Sequence, residues 1–307
     1  MSVTRENTGP DIYQLVTDRI IQAIEAGTPP WQKPWTGGAG FAGFPRRSNG
    51  EFYKGINVVI LLCIAAENGY RSSYWLTYKQ AKVMDAQVRR GEKSAPVVKY
   101  GTFEVDDPDR GETVVRPYAR GYRVFNADQI DGLPNYFYGA DPDEPRDLGT
   151  EPNVELDRFF AATGIEIRTT DEPQAFYHLL DDYVHMPPIA TFHSASGYYA
   201  SLAHEMIHAT SHKRRLDRDQ RFTRKSELAF EELCAEIGSA MLCVSLGLVP
   251  DFEQSAAYVE SWLRSLKDDK KFIFRAASEA QKAVDWMHAQ RAQNEDEGET
   301  SIGSIAA

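Results

Sequence analysis

The sequence predicts an α+β protein with two domains, and three features lead to this prediction. The chain has 307 residues, of which 42% are hydrophobic, and this is enough to fill two cores of ordinary size. Residues 1–135 contain both helical and strand-like patterns, whereas residues 154–290 are mostly helical in pattern. The segment between them, residues 136–153, is rich in proline, glycine and aspartate, and we interpret it as a linker.

The elements of the first domain are predicted from their periodicity. Residues 11–26 carry apolar side chains at helical spacing and predict an amphipathic helix. Further helices are predicted over residues 55–68 and 77–88. Residues 95–105 and 114–130 are typical of strands, and an acidic turn separates them. Helices and strands therefore both contribute to this domain.

The second domain is predicted to be mostly helical, with a few strands. Its clearest element is a long helix over residues 225–247, in which apolar residues recur at helical spacing. Residues 291–307, "RAQNEDEGETSIGSIAA", begin with a polar, acidic stretch, so we expect a disordered tail there.

Cysteine usage and apolar runs predict a cytoplasmic protein without membrane contact. Cys63, Cys234 and Cys243 lie in apolar runs and form no C-x-x-C pair, which is typical of buried free thiols in a reducing compartment. The longest apolar run, Ile56–Ala66, is too short to cross a bilayer. The first residues contain no apolar signal region.

Charge is distributed unevenly along the chain. Residues 1–130 carry 17 basic and 14 acidic side chains, a net +3, whereas residues 131–307 carry 17 and 31, a net −14. Within the first half, residues 30–99 hold 11 basic and 4 acidic side chains, a local +7. This basic segment predicts an anionic partner such as nucleic acid, with a solvated basic face as the alternative.

The basic residues of the first half are interleaved with aromatic ones. Single-stranded DNA exposes the faces of its bases, and proteins bind it with aromatic rings beside a basic groove, without sequence preference. For each aromatic residue, the alternative is a place in the protein's own core. The candidate DNA-binding residues are Trp31, Lys33, Trp35, Arg46, Arg47, Tyr53, Lys54, Trp75, Lys79, Lys82, Arg89, Arg90 and Lys99.

The second half contains the pattern H-E-x-x-H at residues 204–208. On a helix, His204 and His208 point the same way, so both imidazoles can reach one metal ion. Glu205 lies close enough on the helix to act as a general base. The apolar residues of this segment fall on the opposite side of the helix, which leaves the histidine face to line a cleft.

A catalytic zinc site needs a third protein ligand. Candidates lie on the predicted helix 225–247, where Glu231, Glu232 and Glu236 interrupt an apolar pattern. A carboxylate is costly to bury unless it is paired or binds a metal. Glu232 and Glu236 are one turn apart, so one could bind the metal while the other accepts a hydrogen bond from a liganding imidazole.

The order of these residues resembles the gluzincin metallopeptidases, whose third metal ligand is a glutamate on a later helix. The resemblance implies that His204, His208 and Glu232 are metal ligands, that Glu205 is the general base, and that Glu236 orients a ligand. The thermolysin-type pattern has aspartate at the position of Glu236, which is a departure in this sequence. The implied cofactor is one divalent ion, zinc by ligand type, with manganese or another transition metal as the alternative.

The first half resembles the single-stranded-DNA-binding domain of plasmid antirestriction proteins of the ArdC type. The resemblance rests on the segments "PPWQKPW", "YKGINVVIL", "SSYWLTYKQAKVMDAQVRRGEKSAPVVKYG" and "YRVFNADQIDGLP". In that family this domain precedes a zincin-like metallopeptidase domain. The resemblance implies a bacterial protein that binds single-stranded DNA, carries a peptidase-type site and protects incoming mobile DNA from host restriction.

Two other functions are compatible with the sequence. One is a cytoplasmic zinc metalloprotease whose N-terminal half docks a protein or peptide substrate. The other is a binding protein whose metal is only structural. Affinity for single strands that falls steeply with salt distinguishes the DNA-binding hypothesis from the first of these.

Overall fold

The computed structural model describes residues 11–27, 29, 43–107, 112–138, 148–218, 225–248 and 256–303. Over these ranges the chain is an α+β protein, as the sequence predicts. The candidate DNA-binding residues Trp31, Lys33 and Trp35 lie outside the described residues, as do residues 139–147 of the predicted linker.

The N-terminal half combines helices with a twisted antiparallel ribbon. Its helices are α1 (Ile12–Glu25), α2 (Ile56–Asn68) and α3 (Tyr78–Val83), and its strands are β1 (Arg46–Arg47), β2 (Tyr74–Leu76), β3 (Gln87–Val88), β4 (Ala95–Asp107), β5 (Glu112–Asn126) and β6 (Ile130–Asp131). One sheet has the order β1-β2-β5-β4, in which β1 and β2 are parallel and the other neighbours antiparallel. A second, smaller sheet pairs β3 with β6.

The C-terminal half is mostly helical, with one small sheet. Its helices are α4 (Val154–Ala161), α5 (Ala195–Ala209), α6 (Lys225–Ser245), α7 (Ala256–Asp268) and α8 (Phe272–Gly303), and its strands are β7 (Glu166–Thr169), β8 (Phe176–His178) and β9 (Tyr183–Met186). The sheet has the order β7-β9-β8, so β8 is an edge strand. The predicted helices over 11–26, 55–68 and 225–247 are confirmed as α1, α2 and α6.

The helix predicted over residues 77–88 is shorter in the structure. A capping box between Thr77 and Gln80 starts α3, but the helix ends at Val83, and Asp85 adopts a positive φ of 55°. The chain then forms β3, because Val88 pairs with Ile130 of β6. Arg89 therefore does not continue the helix that carries the α3 lysines.

The segment predicted as a disordered tail also differs. Helix α8 continues through residues 291–303. All three cysteines are free and buried, as predicted. Among the described residues, none of the helices combines the length and apolar character needed to cross a bilayer.

The two halves share one hydrophobic core. Buried residues of α1 and α2 belong to the same cluster as those of α5, α6 and α8. Hydrogen bonds also join the halves, from Thr17 Oγ1 to the Lys270 carbonyl (2.8 Å) and from the Gly55 N–H to Gln281 Oε1 (2.8 Å). The N-terminal helices therefore depend on the C-terminal half for part of their burial.

Candidate metal centre

Helix α5 carries the H-E-x-x-H residues and is anchored at its start and along one side. Ser194 caps the helix by accepting a hydrogen bond from the Gly197 N–H (3.0 Å). Met206 and Ile207 are fully buried, so this side of the helix faces the core. The side with His204 and His208 faces Glu232 of α6.

A close approach between α5 and α6 brings the third candidate ligand to the histidines. Gly238 of α6 lies against Ile207, and a Cβ atom at position 238 would be only 3.0 Å from Ile207 Cγ2. A larger residue at this position would push the Ile207 side chain away by a few tenths of an ångström, so glycine suits this close packing. Helix α6 is held from its other side by α7, where Trp262 Nε1 donates to the Ala229 carbonyl (2.9 Å).

His204, His208 and Glu232 offer three donor atoms that all lie within 4.8 Å of one another. The two Nε2 atoms are 3.2 Å apart, and the Glu232 carboxylate lies 3.8 Å from His204 Nε2 and 3.6 Å from His208 Nε2. Two nitrogens bound tetrahedrally to one zinc ion would be separated by about 3.3 Å. The imidazole spacing therefore fits one divalent ion, and the two-nitrogen, one-oxygen donor set suits zinc or manganese.

The donor side chains are 15–17% exposed, so they line a recess that solvent reaches. Burial lowers the pKa of His208, but the hydrogen bond to Glu231 and the carboxylates of Glu232 and Glu205 raise it to about 9. Burial and the neighbouring His208 lower the pKa of His204. The carboxylates around this pair therefore make the recess favourable for positive charge.

Glu231 contacts His208 in the structure. His208 Nδ1 lies 3.3 Å from Glu231 Oε1, which leaves Nε2 directed towards Glu232. This bond orients the imidazole in the way that carboxylates orient metal-binding histidines elsewhere. Glu236 is buried one turn further along α6, and its orienting role stays a prediction.

Arg218 holds Glu231 in place. Its guanidinium donates two hydrogen bonds to the Glu231 carboxylate (2.6 and 3.0 Å), and both side chains are only 5% exposed. The same guanidinium donates to Thr210 Oγ1 (2.8 Å) and the Ile207 carbonyl (2.7 Å). Burial raises the pKa of Glu231, but the hydrogen bonds from His208 and Arg218 bring it below its usual value. Arg218 thus connects the end of α5 to the carboxylate that orients His208.

Two further groups contact the candidate base and ligand. The backbone of Tyr177, on edge strand β8, lies close enough to the Glu205 carboxylate to lower its pKa. Burial raises the pKa of Glu205, and His208 partly opposes this shift. The Tyr258 side chain on α7 hydrogen-bonds the Glu232 carboxylate.

A half-buried polar cluster fastens the β8–β9 hairpin to the end of α5. Asp182, in the turn of this hairpin, accepts hydrogen bonds from Tyr177 Oη (2.8 Å) and Arg215 Nη1 (2.7 Å). Arg215 also donates to the Ala209 carbonyl (2.8 Å), and His212 Nδ1 lies 3.5 Å from Asp182. The cluster therefore keeps Tyr177 beside Glu205.

Some of these supporting residues could be predicted from sequence patterns, and others could not. Gly238 could have been found, because a glycine inside a long apolar helix indicates a close approach. Arg218 lies in a charged segment without periodicity, so nothing in the sequence connects it to Glu231. The Tyr177 contact is made by the backbone and has no sequence signal.

Two of the candidate DNA-binding residues are buried, so the prediction that they lie at the surface is wrong. Trp75 is 1% exposed and Tyr53 is 8% exposed, and both belong to the hydrophobic core. Neither ring has a face available to a base, so the structure supports the core alternative for both. Burial raises the pKa of Tyr53 to about 12, although Arg47 opposes this shift.

Several of the candidate cations already have carboxylate partners. Arg47 pairs with Glu51, Lys54 with Asp285, and Arg89 with Glu92 and Asp131. The Arg46 guanidinium lies 4.3 Å from the centroid of the Phe52 ring. The exposed candidates with no ion pair in the described part of the chain are Lys79, Lys82, Arg90 and Lys99. Lys79 and Lys82 share α3, where Lys82 lies 5.9 Å from the Tyr78 ring.

Comparisons with known families match both halves of the chain. Residues 10–125 match the family described as the N-terminal domain of anti-restriction factor ArdC, and residues 154–279 match the family described as zincin-like metallopeptidase. The Sinorhizobium fredii protein described as uncharacterized protein y4eC is 41% identical over 295 residues, which is 92% of this chain and 94% of that protein. The Escherichia coli DNA primase TraC is 39% identical over 297 residues, which is 90% of this chain but 27% of the primase.

Two solved structures are similar over almost their full length. The metal-free crystal structure of antirestriction protein ArdC from plasmid R388 is 61% identical, with a TM-score of 0.83, and the match covers 92% of this chain and 98% of that one. The Mn(II)-bound structure of the same protein is 60% identical, with a TM-score of 0.80 and the same coverage. The chain therefore belongs to the ArdC family of antirestriction proteins, with an ArdC-type N-terminal domain followed by a zincin-like metallopeptidase domain.

Proposed function

We propose that this protein binds single-stranded DNA without sequence preference and carries a metal-dependent peptidase-type site, and that it protects incoming mobile DNA from restriction in the bacterial cytoplasm. The observation that carries the peptidase part is the convergence of His204, His208 and Glu232 beside the half-buried Glu205. The alternative of a plain protease with a docking half is not favoured, because the N-terminal half matches an anti-restriction family.

In this proposal His204, His208 and Glu232 hold one divalent ion. When bound, the ion supplies a local positive charge and Lewis-acid polarisation of a substrate carbonyl. Zinc suits the donor set, and the Mn(II)-bound relative supports manganese as an alternative.

Glu205 acts as the general base in the proposed reaction. Its raised pKa makes the carboxylate a better proton acceptor than an exposed glutamate. The Tyr177 backbone lies beside the carboxylate at the β8 edge, and Glu231 with Arg218 keeps His208 in one orientation. A peptide or protein is the substrate class that this arrangement suits.

The DNA part of the proposal rests on Lys79, Lys82, Arg90 and Lys99, exposed cations of the N-terminal half that form no ion pair with the described residues. Phosphate contacts from such cations give affinity that decreases with salt. The negative C-terminal half contributes little to phosphate binding or opposes it.

The proposal is tested with the full chain and its Glu205→Gln variant. The variant should retain metal and fold, but lose chelator-sensitive cleavage of labelled casein by at least about a hundredfold. In cells, we expect the unaltered protein to raise plasmid transfer into a restricting recipient relative to a non-restricting one. Native-rate cleavage by Glu205→Gln would contradict the peptidase role, and unchanged transfer would contradict the protective role.

A further inference from the structure

The β4–β5 ribbon extends well beyond the core. The strands pair in register from Ala95↔Val124 to Asp107↔Glu112 without a bulge. Val97 and Val98 are buried at the base, but Lys99 and the residue after it are exposed. At about 3.4 Å per residue, the part beyond Val98 is roughly 30 Å long. A two-stranded ribbon of this length adds little to the core, so its length is better explained by a function than by core packing.

The two faces of the ribbon differ in their contacts near the base. Residues of one face meet helix α1, because Tyr100 hydrogen-bonds Tyr13 and Ile12 Cδ1 lies 3.8 Å from the Cβ position of Gly121. Alternation along the strands places Lys99, Tyr118, Arg120 and Tyr122 on the opposite face. We call these four residues the ribbon face.

Two cations of the ribbon face lie directly opposite each other. Lys99 pairs with Arg120 across the ladder, so their Cα atoms are about 4.5–5.5 Å apart. Like charges in this position destabilise a sheet. No carboxylate forms an ion pair with either of them in the described ranges of the chain. An anionic ligand would relieve this repulsion.

Aromatic rings flank the two cations. Tyr122 is 37% exposed, and the Arg120 guanidinium lies 5.5 Å from its ring centroid. The Tyr118 ring lies across Gly101, where a Cβ atom would come within 2.6 Å of its hydroxyl oxygen. Glycine at position 101 therefore lets Tyr118 lie over the opposite strand. The ribbon face thus combines adjacent cations with rings on both sides of them.

We propose that the ribbon face binds the single-stranded DNA, with Lys99 and Arg120 contacting phosphates and Tyr122 stacking on a base. This inference rests on the proposed function, since it names the surface that performs the DNA binding. The charge of the face fits phosphate, and stacking on Tyr122 requires an unpaired base. The acidic turn at residues 106–112 confines the phosphate contacts to the middle of the ribbon.

The test measures binding of labelled oligothymidine to the full-length protein over a range of salt concentrations. For Lys99→Ala/Arg120→Ala, the slope of log affinity against log salt should fall by about 1.4, because each phosphate contact on a single strand contributes about 0.7. Tyr122→Leu should weaken binding about five- to a hundredfold at every salt concentration, with an unchanged slope. Tyr122→Phe should restore the affinity, because it keeps the ring.

The matched control removes two exposed cations elsewhere. Arg264→Ala/Lys282→Ala deletes the same charge from α7 and α8 and should change neither slope nor affinity by more than about twofold. Thermal unfolding should show the ribbon double variant at least as stable as the unaltered protein, since it removes a like-charge pair.

The possible failures are distinguishable. If the ribbon double variant keeps the slope of the unaltered protein, or if the control loses as much, the ribbon proposal is overturned and the proposed function stands. If the unaltered protein itself does not bind oligothymidine at low salt, the DNA part of the proposed function is overturned together with the ribbon proposal.

Discussion

The two halves of the molecule use charged residues in different ways. Around the candidate metal centre the charges are satisfied and buried or half-buried, as in the pairs Arg218–Glu231 and Arg215–Asp182. In the N-terminal half, cations such as Arg47 and Lys54 lie at the surface and pair with exposed carboxylates, and among the described residues Lys79, Lys82, Arg90 and Lys99 form no ion pair. Removing one partner of a buried pair leaves the other charge uncompensated in the interior, whereas exposed pairs contribute little to stability. Substitutions of charged residues should therefore change stability and metal binding in the C-terminal half, but only DNA affinity in the N-terminal half.

The largest expected effect is that of Arg218→Met. The change leaves Glu231 buried without its guanidinium, so the free energy of unfolding should fall by about 3–5 kcal/mol. Because Glu231 would no longer hold His208 firmly, metal affinity should fall about 10- to 100-fold. Urea unfolding and zinc titration of the metal-free protein measure the two effects.

Two controls accompany this variant. Arg264→Met removes an exposed guanidinium that pairs with Glu260, and it should change stability by less than about 1 kcal/mol. Arg218→Met/Glu231→Leu removes both buried charges, so it should recover stability but not metal affinity. If the Arg218→Met variant keeps native stability and native metal affinity, the Arg218–Glu231 pair has no role in either.

A smaller effect is expected for Asp182→Asn, which keeps the backbone conformation because asparagine tolerates positive φ. Burial raises the pKa of Asp182, but hydrogen bonds from Arg215 and Tyr177 hold it below its usual value. A lowered folded-state pKa stabilises the protein above the unfolded pKa, and this stabilisation is lost as pH falls through the folded value.

The Asp182→Asn variant should therefore be about 1.5–3 kcal/mol less stable at neutral pH, and the difference should shrink below about pH 4. Urea unfolding at several pH values measures this. Asp181→Asn, at an exposed neighbouring position, is the control and should change stability at neutral pH by less than about 1 kcal/mol. A difference that persists unchanged into acid would mean that the Asp182 charge is not what stabilises the hairpin.

Trp75→Phe sharpens the distinction between core and surface aromatics. Because Trp75 is buried, the change should lower the free energy of unfolding by about 1 kcal/mol. Oligothymidine affinity of the folded variant should be unchanged. Weaker DNA binding without a loss of stability would restore Trp75 to the binding surface.

The smallest effects are expected for Lys79→Ala and Lys82→Ala on α3. Each should lower the salt slope of oligothymidine binding by about 0.7 and change stability by no more than about 0.5 kcal/mol. Lys282→Ala serves as the control, because this lysine is exposed and lies in the other half. An unchanged slope in both variants would remove α3 from the DNA-binding surface.

Local spacing explains why the metal centre could be predicted from the sequence. His204, Glu205 and His208 lie within one turn of a single helix, so their relative positions follow from helix geometry. The identity of Glu232 came from the resemblance, and the structure brings its carboxylate to the histidines. The Arg218–Glu231 contact depends on where the chain runs after α5, and helical periodicity carries no information about that.

Composition was a weaker guide in the N-terminal half. A high content of aromatic and basic residues does not tell which rings face the solvent, because tryptophan and tyrosine also fill cores. Trp75 lies on a short strand covered from both sides, and no alternation in three residues could reveal this. On the long strands β4 and β5, alternation shows which side chains share a face once the register is known.

Anomalous diffraction from crystals soaked in Mn(II) tests the metal centre most directly. We expect one peak bonded to Nε2 of His204, Nε2 of His208 and the carboxylate of Glu232, at distances of about 2.0–2.2 Å. No peak at this position, or a peak coordinated by other side chains while these three remain unbound, would contradict the assignment of the site.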